Sequence, residues 1–507
     1  MRFFDFLTSI AVRSMQAWIV CILAGIFVFL FSFGIHAQST PVTVYVDTDA
    51  SGANDGTSWA NAYICLQDAL DKANADDNAG IDYEIWVAEG VYYPDEDSKS
   101  TFKEHTNDSP GEYFRLGGYA AEDPEDLEFD NVKLYGGFAG GETAIDQRDW
   151  EENLTVLSGD IEQNDTTKAH GVVTNPADIT GSNAFHVMYL NGGTNGIITD
   201  NTVIDGFIVT AGQAEGSDDN RKGGAIYCNT DHTPYQGTEE ECSPVVKNVI
   251  FIGNRAETWG GAVYNNGTSG PSDPELINVT FSSNRAGARG GAMFNDGGNM
   301  GYSSPVLTNV VFVDNLSESS GGAIYNYAVD AGTTNPVLTN VVFSGNAAWK
   351  WGGAVASNGE DGGDCKPELT NSILWGNTAE DGGDQIYNYS AYPRIGYSDI
   401  QGCGGSGTGW DGDLGRDDGN NIDADPLFTN PGNGDLRLQT GSPAADAGDT
   451  SALPADSHDL DGDGNTTEPI PYDRAYQPRV IGSAVDMGAY EVPRELCPGI
   501  YLLLMDS

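Results

Sequence analysis

The amino-acid sequence predicts an all-β fold, a parallel β-helix with a short capping helix at its N-terminal end. Three observations lead to this prediction: a Gly-Gly-Ala motif recurs at a fixed interval, a Phe-x-x-Asn motif keeps the same interval, and short runs of alternating apolar and polar residues lie between them. Units of this length bury their apolar faces only by stacking on one another. Each unit of about 30 residues, with two or three short strands, fits one coil of a β-helix.

The two motifs specify which residues should stack. Successive Gly-Gly motifs are 30 or 31 residues apart after a first interval of 37, and they begin at Gly223, Gly260, Gly290, Gly321, Gly352 and, in degenerate form, Gly382. Stacked coils lie about 4.8 Å apart, so identical residues come directly above one another. We therefore expect an internal stack of Phe251, Phe281, Phe312 and Phe343, and a ladder of the side-chain amides of Asn254, Asn284, Asn315 and Asn346.

The chain before the repeat reads as an export signal followed by a cap. Basic residues and then an apolar run from 17 to 35 precede Ala37, so residues 1–37 are predicted to be a signal peptide, with an uncleaved membrane anchor as the alternative. Residues 38–165 are assigned to the cap and the first coils. Ser58 is expected to cap an amphipathic helix that reaches Leu70 and covers the exposed first coil.

The remaining boundaries follow the composition. The repeats are assigned to residues 166–402, a Gly/Asp-rich linker to 403–420, a separate C-terminal segment to 421–492, and a short tail to 493–507.

Charge and composition exclude several functions. The chain carries 75 acidic and 23 basic residues, a net charge of −52, which repels nucleic acid and anionic membranes. No glycine-rich loop precedes a helix, so we expect no nucleotide and no organic cofactor. The charge suits a monomeric protein that works outside the cell and binds divalent cations, although it can also serve only to keep a long repeat soluble.

Two cysteines explain the one long interval. Cys228 and Cys242 flank a polar excursion from 229 to 241 that lengthens the first repeat to 37 residues. Exported chains form disulfides, and we expect this pair to form one.

A candidate calcium loop lies near the C-terminus. Asp459, Asp461 and Asp463 alternate with other residues, and a glycine follows at the sixth position, as in the first half of a calcium-binding loop. The twelfth position is Ile470 rather than a glutamate, and Glu468 is out of register, so Asp456 or Asp473 would have to complete the ligand set. The alternative is an Asp/Gly turn in solvent.

Aromatic residues recur in the Gly-Gly-Ala strands. Tyr227, Tyr264 and Tyr325 alternate with aliphatic residues, and Trp259 and Trp351 lie nearby. If the aliphatic residues fill the coil, the tyrosines form an external ladder on which the sugar rings of a polymer can stack. The alternative is that the tyrosines are buried with their hydroxyl groups bonded.

The motifs resemble two known families. Gly-Gly-Ala-Ile followed by Phe-x-x-Asn is similar to the repeat of the polymorphic outer-membrane proteins. Asp425-Pro-Leu-Phe, Gly441-Ser-Pro-Ala-Ala-Asp-Ala-Gly and Asp486-Met-Gly-Ala-Tyr-Glu resemble the choice-of-anchor Q domain of secreted bacterial β-helix proteins. The resemblance implies a right-handed, pectate-lyase-like β-helix that is exported and held at, or released from, the cell surface. It implies no particular reaction.

These observations support three functional hypotheses. The leading one is a non-catalytic surface or secreted protein that adheres to a surface protein or binds an extracellular polysaccharide, because no catalytic set converges. The rival is a polysaccharide lyase or glycoside hydrolase, and its candidate catalytic residues are Asp381 and Asp384, which the degenerate coil brings together. The third is a stiff spacer that displays the C-terminal segment.

Overall fold

The computed structural model describes residues 41–76, 81–97, 104–105, 109–117, 132–193, 197–231 and 240–493. These residues fold as a right-handed parallel β-helix, which confirms the predicted fold class. The predicted export signal lies outside the described residues. Within the described ranges, no helix combines the length and the apolar character needed to cross a membrane.

Four parallel sheets run along the β-helix, and each coil from Val203 to Tyr389 contributes one strand to each of them. Sheet one contains Val42–Val46, Tyr83–Ala88, Val132–Phe138, Val203–Asp205, Val245–Lys247, Glu275–Ile277, Val306–Thr308, Val337–Thr339, Glu368–Thr370, Arg394–Gly396 and Arg416–Gly419. Sheet two contains Gly90–Tyr92, Thr155–Ser158, Ile208–Thr210, Ile250–Ile252, Thr280–Ser282, Val311–Val313, Val342–Ser344, Ile373–Trp375 and Asp399–Ile400. Sheet three contains Gln213–Ala214, Arg255–Ala256, Arg285–Ala286, Leu316–Ser317, Ala347–Ala348 and Thr378–Ala379. Sheet four contains Phe114–Gly117, Met188–Asn191, Ile226–Asn229, Val263–Asn266, Met293–Asp296, Ile324–Tyr327, Val355–Asn358 and Ile386–Tyr389.

The corners between the sheets need left-handed backbone. The corner from sheet one to sheet two has an asparagine with φ between 52° and 58° in five coils: Asn248, Asn278, Asn309, Asn340 and Asn371. Asparagine tolerates this conformation better than other residues that carry a Cβ. The turn into sheet four needs glycine, because a Cβ on Gly260 would lie 2.2 Å from the carbonyl oxygen of Val263. The repeated Asn and Gly positions therefore fix where each coil bends.

The coil interior contains the predicted stack and ladder. Ring centroids are 4.9 Å apart between Phe251 and Phe281, 4.8 Å between Phe281 and Phe312, and 4.7 Å between Phe312 and Phe343. Each asparagine of the ladder donates Nδ2 to the Oδ1 of the next at 2.9–3.1 Å, from Asn254 to Asn377. Both predictions are confirmed. Each buried ring contributes about 1.5–3 kcal/mol to the free energy of unfolding.

The two ends of the β-helix are closed differently. At the N-terminal end, helix Leu66–Asp76 buries Leu66, Leu70 and Ala73 against the core. The predicted helix start is wrong, because Ser58 makes no side-chain capping bond and only the 3₁₀ turn Trp59–Asn61 follows it. At the C-terminal end, Trp410 and Leu414 pack on the core.

The predicted linker at 403–420 is wrong. Its last residues form the strand Arg416–Gly419, which pairs in parallel with Arg394–Gly396 and completes sheet one. The final coil turns tightly and faces solvent, so it is rich in glycine and aspartate. The same composition is typical of a linker, which is why the sequence predicted one here.

The C-terminal segment, residues 421–492, folds back along the β-helix and belongs to the same compact unit. Phe428, Leu438 and Met487 pack on Val342 and Ile373 of sheet two. The segment also bonds the asparagine corners: Asn371 donates Nδ2 to the carbonyl oxygen of Asp449 at 3.1 Å, and Tyr476 donates to Asn248 Oδ1 at 2.6 Å. The segment is therefore not displayed on the end of a spacer.

Short elements complete the described fold. A parallel pair joins Ile197–Ile198 to Glu241–Cys242, and antiparallel pairs join Glu96–Asp97 to Glu104–His105 and Phe428–Asn430 to Asp435–Leu438. The other 3₁₀ turns are Ile145–Gln147, Ala169–Gly171, Pro176–Asp178, Asp218–Arg221, Gly412–Leu414, Pro431–Asn433 and Thr450–Ala452.

Candidate functional site

Sheet four presents a column of aromatic rings on its outer face. The aliphatic residues of its strands, such as Val263 and Met293, point into the core, so the alternate residues point outward. In register these outward residues are Tyr189, Tyr227, Tyr264, Phe294, Tyr325, Ala356 and Tyr387. Neighbouring rings from Tyr189 to Tyr325 stack with centroids 5.2–5.5 Å apart.

Most of this column is closed to solvent, so the predicted exposed tyrosine ladder is wrong. Tyr227, Tyr264 and Tyr325 are only 1%, 1% and 6% exposed. A side chain from the turn before a sheet-four strand lies over a ring of the next coil. Lys222 Nζ lies 4.8 Å from the Tyr264 ring centre, and the Trp259 ring stacks on Phe294 at 5.1 Å. A sugar therefore cannot reach these rings.

The polar ends of the buried rings are bonded, as the alternative interpretation of the sequence required. Tyr264 donates its hydroxyl to Asp296, and Asn266 Nδ2 donates to the Tyr227 hydroxyl oxygen at 3.3 Å. Burial raises the pKa of the Asp296 carboxyl above its usual range and holds the pKa of Tyr264 well above 10. This part of the face is packed structure rather than a binding surface.

The column is interrupted at Ala356, and the face opens beyond it. Trp351 is 37% exposed and stacks on Tyr387, with ring centroids 5.4 Å apart and ring planes 16° apart. Tyr389, on the same strand, is 48% exposed. We call Trp351, Tyr387, Tyr389 and the cavity next to them the terminal groove.

A cavity of about 590 Å³ forms the floor of the terminal groove. The cavity lies between the last strand of sheet four and the closing loop, residues 411–414. Asn388 joins the two, because its Nδ2 donates to the carbonyl oxygens of Asp413 and Leu414 at 3.0 Å each. Its lining residues are Gly382, Gly383, Asp384, Gln385, Ile386, Tyr387, Asn388, Gln401, Gly402, Asp411, Asp413 and Leu414. The volume lies within the usual range of small-ligand sites.

The two sequence-predicted catalytic candidates have different surroundings. Asp384 lines the cavity, whereas Asp381 does not. Asp384 Oδ1 accepts the backbone N–H of Ala379 at 2.9 Å, so this carboxylate also holds the turn that precedes the strand. The structure does not bring the two into one site.

The other acidic residues of the cavity were missed by the sequence analysis. Asp411 and Asp413 come from the closing loop, which had been interpreted as a linker, and Asp411 Oδ1 accepts the backbone N–H of Asp413 at 3.1 Å. The available signal was the Asp-Gly-Asp run at 411–413, which is typical of an ordered turn.

The candidate calcium loop lies on another flank. Carboxylate oxygens of Asp456, Asp459 and Asp461 lie within 4.8 Å of one another, as do those of Asp461, Asp463 and Glu468. Asp456 thus joins the predicted ligands, and Glu468 is close although it is out of register. Asp473 lies elsewhere, where its carboxylate accepts the backbone N–H groups of Ala475 and Glu491.

A second cavity of about 410 Å³ separates this loop from the first coils. Arg148 donates Nη2 to Asp205 Oδ2 at 2.6 Å, and its guanidinium lies 5.0 Å from the Tyr135 ring and 4.9 Å from the Trp150 ring. Burial opposes ionisation of Asp205, yet Arg148 and Lys247 hold its pKa below the usual range. These charged groups pair with one another. The cavity is therefore a gap between the C-terminal segment and the coils it packs on.

The predicted cysteine pair is joined in the structure. Cys228 and Cys242 form a disulfide with Cα atoms 5.8 Å apart. It closes the excursion at 229–241, at the side of the closed ring column.

Comparison with known proteins gives one family match. Residues 248–266 and 309–327 each match the Chlamydia polymorphic membrane protein repeat. Each match runs from a left-handed asparagine corner, through an internal phenylalanine and a ladder asparagine, to a sheet-four strand. Searches of curated proteins and of solved structures give no significant match.

Proposed function

We propose that this protein is an exported, surface-associated or secreted β-helix protein that binds an extracellular polysaccharide in the terminal groove without cleaving it. One observation carries the proposal. Trp351, which is 37% exposed, stacks on Tyr387 at the open part of the sheet-four face, and Tyr387 lines a cavity of about 590 Å³. Flat exposed rings with polar groups beside them are suited to sugar rings, which have an apolar face and hydroxyl groups at the edge.

The repeat match and the charge support the location. The matched repeat takes its name from a membrane protein of Chlamydia, which supports an outer-membrane surface protein and an adhesive role. A net charge of −52 suits a protein in contact with the medium. The resemblance of residues 421–492 to a choice-of-anchor Q domain agrees with export, and the surface attachment it implies is part of this proposal.

The local geometry supports binding rather than catalysis. Asp384 and Asp411 each use a carboxylate oxygen to hold a turn, and both are exposed to solvent. A general acid or base is usually tuned by burial and by a partner group. The enzyme alternative therefore enters only as an outcome of the test.

We also propose that the loop 456–468 binds Ca²⁺. Its carboxylates supply the hard oxygen ligands that calcium prefers, and Asp461 belongs to both groups of three. The ion would tie down a loop of the C-terminal segment and take no part in sugar binding.

The test uses the purified full chain and a panel of insoluble extracellular polysaccharides. We expect retention on at least one polymer, without release of reducing ends or unsaturated products. Trp351→Ala and Tyr387→Ala should each weaken retention at least tenfold, because each removes one stacking surface. Tyr302→Ala is the matched control, since Tyr302 is an aromatic residue with 43% exposure outside the groove.

Three results would contradict the proposal. Retention that survives both groove variants would place binding elsewhere, and no retention on any polymer would leave a structural role. Release of products that is lost in Asp384→Asn would establish the enzyme alternative instead.

A further inference from the structure

The terminal cavity offers many hydrogen-bond acceptors and few free donors. Three carboxylates line it, those of Asp384, Asp411 and Asp413. Asn388 adds a carbonyl oxygen, Oδ1, which is shielded from solvent and has no partner among the described residues. The donor half of the same side chain is already bonded to two backbone carbonyl oxygens. A ligand that fits this lining must bring donors of its own.

Cations are missing from the lining. None of the lining residues of this cavity is Lys, Arg or His. Lys350 lies on the rim, where its Nζ is 5.9 Å from the Trp351 ring centre. An acidic polymer would meet three carboxylates and a chain of net charge −52, and like charges across an interface cost several kcal/mol.

The aromatic rim favours the same kind of ligand. Trp351 is 37% exposed and stacks on Tyr387, which lines the cavity together with the carboxylates. An ammonium group over a ring face gains about 0.5–1 kcal/mol at an exposed site, and a hydrogen bond between an ammonium and a carboxylate is stronger than a neutral one. A ring and the acceptors thus border one cavity, where a glycan that carries amino groups can use both.

From these three features we infer that the terminal groove binds an amine-bearing glycan, a polymer of hexosamine units with free amino groups. The inference rests on the proposed function and specifies its ligand. The sugar ring stacks on the Trp351 and Tyr387 side, and the ammonium groups donate to Asp384, Asp411 and Asp413. Neutral and acidic glycans of the same length bind more weakly, because they supply fewer donors or the wrong charge.

The test measures binding of three hexamers of equal length to the full chain: glucosamine, N-acetylglucosamine and galacturonate. We expect the glucosamine hexamer to bind at least tenfold more tightly than either of the others at low salt. Binding should weaken as salt is raised, because the charges are exposed. The triple variant Asp384→Asn, Asp411→Asn, Asp413→Asn should lose this preference, and asparagine keeps the oxygen that holds each turn.

Two control variants separate a local effect from net charge. Glu89→Gln, Glu151→Gln, Glu152→Gln removes three exposed charges on the first coils and should leave binding unchanged. Lys350→Gln should leave glucosamine binding unchanged or strengthen it, since it removes a cation from the rim.

The outcomes distinguish this inference from the proposed function. Equal binding of the glucosamine and N-acetylglucosamine hexamers, unaffected by the triple variant but lost in Tyr387→Ala, overturns the amine assignment and retains a sugar-binding groove. Tight galacturonate binding that is lost in Lys350→Gln also overturns the assignment. If no hexamer binds and no polymer of the panel is retained, the proposed function itself fails.

Discussion

The two halves of the sheet-four face use the same strand pattern with opposite results. From Tyr227 to Tyr325 the outward rings form a closed stack, and the hydroxyl groups of Tyr227 and Tyr264 are bonded within the protein. From Trp351 to Tyr389 the rings stand open beside a cavity. The strands stay in register through both halves, so the backbone does not cause the difference.

The difference lies in single residues and in the walls of the face. Ala356 removes one ring from the column, and the degenerate Gly-Gly-Asp-Gln replaces the alanine of the motif in the next coil. Asn388 bonds the closing loop to the last strand, and a cavity lies between the loop and that strand. A repeat can thus hold its shape over several coils and become a candidate site where the repeat decays.

The largest expected effect separates packing from binding. Tyr264→Ala should lower the free energy of unfolding by about 3–5 kcal/mol, because it removes a buried ring from the stack. Tyr387→Ala should cost about 1 kcal/mol or less, because that ring is only partly buried. Chemical unfolding measures both, and sugar retention is measured alongside. Equal destabilisation by the two variants would contradict the division of the face into a closed and an open half.

The next effect concerns Asp399, which is fully buried in the last coil. Its Oδ1 accepts the backbone N–H of Ala424 at 3.2 Å, and its Oδ2 has no partner among the described residues. Burial raises its pKa to about 7, and the charges of Asp423 and Asp425 add to the shift. An unfolded aspartate ionises near pH 4, so the folded state resists an ionisation that the unfolded chain undergoes.

The sign of the pH dependence follows directly. The contribution of Asp399 to the free energy of unfolding is full below about pH 4, and it is lost as the pH rises to about 7. Asp399→Asn should therefore stabilise the protein by about 4 kcal/mol at pH 8 and change little at pH 4. Hydrogen exchange should locate the effect in the last coil, at the C-terminal end of the β-helix. Asp381→Asn, at an exposed position, is the control; matching profiles for the two variants would sink the prediction.

The smallest effect tests the calcium loop, which lies away from both halves of the face. At a calcium concentration ten times the dissociation constant, the free energy of unfolding should rise by about 1.4 kcal/mol. Asp461→Asn should abolish the rise, since Asp461 belongs to both carboxylate groups. Sugar retention should not change with chelator. A calcium response that persists in this variant, or a chelator that abolishes retention, would show that the loop is not a separate structural site.

Local pattern was enough to predict the β-helix. The interval of 30 or 31 residues, the phenylalanine stack and the asparagine ladder all come from identical residues placed in register, and the backbone spacing converts that register into contact. The export signal, the calcium ligands and the sugar-binding role stay predictions. The alternation of Val263 with Tyr264 also gave the correct inward residue.

The state of the outward residues depended on the tertiary structure. Sequence periodicity tells which residues share a face, but it does not tell what lies over that face. The turn residues Lys222 and Trp259 cover Tyr264, whereas Trp351 stays exposed beside Tyr387. Likewise, Asp411 and Asp413 meet Asp384 only because the last turns close over the end of the solenoid.

The sequence by itself therefore determined the solenoid, its period and its internal stacks, because each depends on contacts one coil apart and repeats along the chain. Only the tertiary structure decided which rings are covered, where the C-terminal segment lies and which acidic residues share a cavity. Those contacts join residues that do not repeat, such as Asn371 with Asp449, and no periodic signal marks them in the sequence.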